Sequence, residues 1–112
     1  MAVVFYDNLE STPVDDFPGF IEVERLYCFA WVRFTETHWK ELARIYGTLP
    51  GFIGDPHMPE WFGRNEQLPP FLWASVESPG LQVYGVLPLS GWWNWDHLFR
   101  EAIDGLPSRD LK

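Results

Sequence analysis

The chain has 112 residues, 46% of them hydrophobic and 21% charged, values that fit one globular domain and exclude the fibrous and disordered classes. Sixteen acids against eight bases give a net charge of −8, which disfavours nucleic acid and anionic membranes, since both are bound through Lys and Arg. A basic protein partner is compatible with the same charge.

Seven Trp, nine Phe and four Tyr exceed what one small core readily hides, which places some rings at the surface or in an interface, although Trp and Tyr are rarely fully buried in any protein. The single cysteine, Cys28, cannot close an internal disulfide and sits in an apolar run, so a buried thiol is expected. No charged-then-apolar leader opens the sequence and no apolar run reaches the length of a membrane span, so a soluble, cytoplasmic protein is expected.

Residues 2–6, AVVFY, read as a first strand, and residues 7–19, with Pro13, Pro18 and Gly19, as a loop. Six of the sixteen acids and none of the bases fall within residues 1–24. Asp15, Asp16, Glu22 and Glu24 belong to this group. Such a cluster is either a solvated, solubilising face or an electrostatic lure for a basic patch. Residues 20–34 form the longest strand candidate. One parity carries Leu26, Cys28, Ala30, Val32 and Phe34, with small residues that would let a helix approach. The other carries Arg25, Tyr27, Phe29, Trp31 and Arg33, the composition of an interface centre or of a surface under the following loop. A homo-oligomer through Tyr27, Phe29 and Trp31 is one consequence.

A first helix follows, capped by Thr35 or Thr37 and ended at Gly47, with Trp39, Leu42, Ala43 and Tyr46 on one face. Residues 50–70 then show no regular pattern. Loops of that length are usually functional or disordered. Phe52, Ile53, Met58, Trp61 and Phe62 argue for a packed one. Residues 71–77 and 81–87 read as a hairpin around Ser78-Pro79-Gly80, in a register pairing Val76 with Val83, Ala74 with Gly85 and Leu72 with Leu87. The second helix begins at Ser90 after Pro88 and stops at Gly105. Its buried stripe is Trp92, Trp95, Leu98, Phe99, Ala102 and Ile103, with Asp96 placed to suit the helix dipole.

The expected architecture is a single α+β domain over residues 1–112, a mostly antiparallel sheet of about four strands with two helices packed on one face. Its order is β-β-α-long loop-β-β-α, with an acidic loop at 7–19, a long packed loop at 50–70 and a frayed tail at 108–112.

For chemistry, the loop offers Asp55, His57, Glu60 and Arg64, a set that could form a ligand pocket with His57 in proton transfer. No nucleophile accompanies it: Ser90 lacks the surroundings of a nucleophile elbow and Cys28 lies within a strand. The histidines do not have the spacing of familiar zinc sites, and Gly51, Gly54 and Gly63 do not match a phosphate loop. Neither a catalytic set nor a metal nor a cofactor is therefore expected. Trp61, Phe62, Arg64 and Trp93 are the recognition candidates, since Trp and Arg concentrate binding energy. Trp61 and Phe62 read equally well as plugs pinning the loop to the sheet. The function expected from this pattern is a non-enzymatic protein-binding module, most concretely an acidic immunity or inhibitor-type protein neutralising a basic partner. The competing expectation is a small enzyme or ligand-binding protein with its pocket under the 50–70 loop.

Overall fold

A computed structural model describes residues 5–6, 12–64, 66–78 and 80–108. The strands are β1 (Phe5–Tyr6), β2 (Thr12–Pro13), β3 (Phe20–Cys28), β4 (Glu60–Trp61), β5 (Phe71–Val76) and β6 (Gly80–Pro88); the helices are α1 (Glu36–Thr48) and α2 (Leu89–Ala102). All strand pairings among the described residues are antiparallel, in the order β1-β3-β6-β5-β4, with β2 also on β3. The expected α+β architecture is present, and β2 and β4 are short strands inside the two expected loops.

One face of the sheet carries Ile21, Val23, Tyr27, Leu72, Ala74, Leu81, Val83 and Leu87, which join Leu42, Ile45 and Tyr46 of α1 and Trp92, Trp95 and Phe99 of α2 in a single buried core. Both helices therefore lie on that face. This reverses the expected faces of β3. Tyr27 and Phe29 are fully buried in the core, so the self-association face drawn through Tyr27, Phe29 and Trp31 keeps only Trp31 partly exposed. Ile21 and Val23 share this buried face while Glu22 and Glu24 lie on the other, and Arg25 is accommodated on it by Asp96 of α2, which is 2% exposed. Its Oδ1 accepts from the Tyr27 hydroxyl at 2.5 Å and faces Arg25 Nη1 at 3.1 Å, while Oδ2 accepts from Arg100. An inward arginine becomes tolerable once a buried carboxylate meets it. The Arg25 guanidinium also lies 4.9 Å from the centre of the Trp92 ring.

The strand expected to run to residue 34 ends at Cys28. Phe29 bridges to Ser108 and the Ala30 N–H donates to the Pro107 carbonyl at 3.0 Å, so the end of the described chain takes over the pairing. A single 3-10 turn at Trp31–Arg33 follows. Ser108 is thus tied in place rather than frayed, and its carbonyl also accepts from Arg33; residues 109–112 lie outside the described residues, as do residues 7–11 of the acidic loop.

Of the two expected caps, Thr35 and not Thr37 caps α1, and His38 completes the capping box by accepting the Thr35 N–H at Nδ1, 3.0 Å away. Gly47 does not end the helix, which continues to Thr48. Along α2 the buried residues are Trp92, Trp95, Asp96 and Phe99, with Leu98 exposed. The helix starts at Leu89 with Pro88 as its cap residue, not at Ser90.

The β5–β6 register differs from the expected one by two residues: Val76 pairs with Leu81, Ala74 with Val83 and Leu72 with Gly85. Gly80 is the cause. It belongs to β6 opposite Cys28 rather than to the turn, and a Cβ there would sit 2.0 Å from the Tyr27 carbonyl oxygen. A shift of two preserves strand parity. The division of residues between the faces was therefore read correctly even though the partners were not.

Candidate functional site

The face of the sheet turned away from both helices carries Glu22 and Glu24 from β3, Gln82 and Tyr84 from β6, Trp73 and Ser75 from β5, and Glu60 from β4, as the registers require. Glu22 accepts the Tyr84 hydroxyl at 2.7 Å and Glu24 accepts the Gln82 amide at 2.8 Å. Trp73 packs against Tyr84 with ring centres 5.4 Å apart and donates its indole N–H to Glu66 at 3.0 Å. Tyr84 is pushed up to about 12, first by its hydrogen bond to Glu22, then by burial and by the charges of Glu22, Glu66 and Glu24. The result is a half-buried aromatic and amide patch with three carboxylates held around it.

The 50–70 segment has more regular structure than expected. Phe52 bridges to Trp61, the Ile53 N–H donates to the Glu60 carbonyl at 2.9 Å, and Asp55 bridges to Met58 at the tip. Trp61 is 0% exposed, inside the core. Its indole N–H donates to the Tyr46 carbonyl at 3.1 Å. Phe62 adopts a left-handed backbone, φ 73°, uncommon for a residue with a side chain. It donates its N–H to the Gly51 carbonyl at 2.8 Å, and a Cβ on Gly51 would meet its ring at 2.6 Å. Both aromatics thus act as the plugs that the sequence offered as one of their two readings.

The four residues of the expected ligand pocket separate. His57 and Glu60 line a cleft of about 570 Å³ with Glu66, Trp73 and Ser75. The Asp55 carboxylate instead accepts the backbone N–H groups of His57 and Met58 at 2.8 and 3.0 Å, which hold its pKa below the usual range. It shapes the tip and does not orient the imidazole. Arg64 donates to the Ile53 carbonyl and lies 3.9 Å from Glu60. Among the described residues, no group of three His, Cys, Asp or Glu converges as a metal site, and no helix is long and apolar enough to cross a membrane.

The partner-binding candidates also divide. Glu22 and Glu24 are on the helix-free face; Asp15 and Asp16 are exposed at the tip of the β2–β3 connection. Trp93, 62% exposed on α2, is in the helix layer on the other side of the sheet, so it does not share a surface with Glu22 and Glu24. Sequence reasoning missed Trp73, Tyr84, Gln82 and Glu66 as members of the site. The signal was available in strand parity, which places Trp73, Ser75, Gln82 and Tyr84 on the non-core face.

No protein-family model, curated protein or solved structure matches this chain.

Proposed function

We propose that this is a non-enzymatic protein-binding module that captures a basic protein partner through the helix-free face of its sheet, as an acidic immunity or inhibitor-type protein does. The observation that carries this reading is the grouping of Glu22, Glu24 and Glu66 around Tyr84, Gln82 and Trp73. Carboxylates on a sheet face draw a basic patch in and raise the rate of encounter. Half-buried aromatic rings beside them supply contact area that slows dissociation. Asp15 and Asp16 extend the acidic field at one end of β3.

The pocket reading draws its support from His57 and Glu60 sharing a cleft. Asp55 and Arg64, engaged with backbone groups, do not strengthen it.

The test is a pull-down from native lysate at low and at physiological salt, comparing the wild-type chain with a Glu22→Lys/Glu24→Lys variant. A basic protein retained by the wild type, more strongly at low salt, and released by the variant is the expected result. Recovery of no basic partner at either salt refutes the proposal.

A further inference from the structure

The sheet is unfinished along one side of β5. β4 borders it for two residues, with Glu60 opposite Trp73 and Trp61 opposite Leu72. One more bond continues this border, from the Ala74 N–H to the Pro59 carbonyl at 3.3 Å. Pro59 has no N–H to return, and before it the chain turns away through the tip held by Asp55.

In an antiparallel strand, successive residues direct their backbone groups to opposite sides. The Glu77 N–H donates to the Gly80 carbonyl, on the β6 side. Val76 therefore directs its N–H and C=O the other way, as Ala74 does. Among the described residues, Val76 has a strand partner only on the β6 side, Leu81, and the residue is 51% exposed.

Two clefts flank this free edge and share His57 and Val76. The first, about 570 Å³, opens on the helix-free side and presents Glu60, Glu66, Trp73 and Ser75. The second, about 510 Å³, lies on the helix side against Trp39, Leu42, Ala43 and Tyr46. Trp39 is stacked on Trp31 with ring centres 5.0 Å apart, and Trp31 is itself held by a 2.7 Å hydrogen bond from its indole to the Glu77 carbonyl. The apolar wall is therefore preformed.

We infer that the end of β5 at Val76, just beyond the bond from Ala74 to Pro59, accepts an extended segment of a basic protein that continues the β4 border as an added strand. A Lys or Arg side chain of that segment enters the acidic cleft, and an adjacent apolar side chain enters the cleft against α1. The inference rests on the basic-partner reading and supplies its mode of contact. An added strand gains affinity from main-chain hydrogen bonds and specificity from pockets for alternate side chains, and here the two sides of the edge differ in the way alternation requires. Glu60 and Glu66 provide the charge complement, and the Trp73 ring offers a face to a cation.

The probe is a blocked hexapeptide of alternating arginine and valine, titrated into the full chain while amide hydrogen exchange is followed residue by residue. Protection of the Val76 amide is expected to grow with peptide concentration. A peptide with glutamate in place of arginine should give none, and N-methylation of alternate backbone nitrogens should weaken binding at least about tenfold, because the edge bonds cannot form. The Glu60→Gln/Glu66→Gln variant should bind the arginine peptide about fivefold more weakly, the upper range for partly exposed ion pairs.

Binding without protection at Val76, or equal binding of the N-methylated peptide, overturns the inference. Concentration-dependent protection of Val76 without peptide would make a second copy of the chain the occupant and overturns it as well. If a basic partner is retained through Glu22 and Glu24 while Val76 stays unprotected, the edge inference falls and the partner reading stands. Protection by the peptide with no basic partner recovered has the opposite meaning.

Discussion

Replacing Asp96 with alanine is expected to be among the most damaging single changes in this protein. The substitution leaves the Tyr27 hydroxyl without its 2.5 Å acceptor and removes the carboxylate from Arg25, whose side chain is only 12% exposed. Breaking a buried ion pair from one side costs about 3–5 kcal/mol. Arg100 is more accessible than Arg25 and can turn to water, which favours the lower figure of about 3 kcal/mol. At about 2.1 cal/mol/K of unfolding entropy per residue, a chain this long has about 0.24 kcal/mol/K, so the melting temperature should fall by about 12 °C. Tyr27→Phe removes one hydrogen bond to a charged group and leaves both arginines paired, for a loss of about 1.5 kcal/mol. Replacing the cluster together, with Arg25→Met, Tyr27→Phe and Asp96→Leu, should recover much of what Asp96→Ala loses, because no buried charge is then stranded. Urea denaturation followed by circular dichroism measures all three. A loss below about 1 kcal/mol for Asp96→Ala, or an equal loss for Tyr27→Phe, refutes the view that this carboxylate is what permits Arg25 and Tyr27 to face the helices. Burial, and then Asp96, raise the Tyr27 pKa well above 10.0. The unfolded chain gives up that proton near 10.0 and the folded chain keeps it, so stability is full below pH 10 and falls as pH rises beyond it. Tyr27→Phe should make that alkaline decline shallower.

Four further outcomes are expected. Gly80→Ala and Gly85→Ala would place a Cβ 2.0 Å from the Tyr27 oxygen and 2.3 Å from the Phe71 oxygen, and each should cost more than about 2 kcal/mol in a thermal melt. Gly47→Ala, inside α1 with nothing within 4 Å of the added atom, should instead stabilise by about 0.5–1 kcal/mol. Trp61→Ala should cost about 3–5 kcal/mol as the loss of a buried ring, whereas Trp93→Ala should leave the urea midpoint unchanged; equal effects would contradict the assignment of Trp61 as a core plug. Glu22→Gln should lower the Tyr84 pKa from about 12 toward 10.0, read from phenolate absorbance, and no movement would break the link between the two residues.

Much of the architecture was legible locally. Thr35 and Thr37 bracketed the start of α1, the apolar spacing identified both helices, and alternation in residues 71–77 and 81–87 separated core from non-core positions. These features depend on neighbours within a turn of helix or two positions along a strand, so they are written in the order of residues. The packed character of the 50–70 loop was also legible from its aromatics, and Trp61 and Phe62 are seated as plugs.

What only the tertiary structure decided were the pairings between distant residues. How Arg25 is accommodated on the buried face of β3 depended on Asp96, far along the chain on α2. The hairpin register involves Gly80, which pairs with Cys28 of β3 where the Tyr27 carbonyl leaves no room for a Cβ, a constraint that comes from across the sheet. The candidate surface has the same origin: Glu22 and Glu24 become part of one patch with Tyr84, Gln82, Trp73 and Glu66 only after three strands align. Periodicity assigns a residue to a face, but which faces meet is set by long-range packing and by whether a buried charge finds its counterpart.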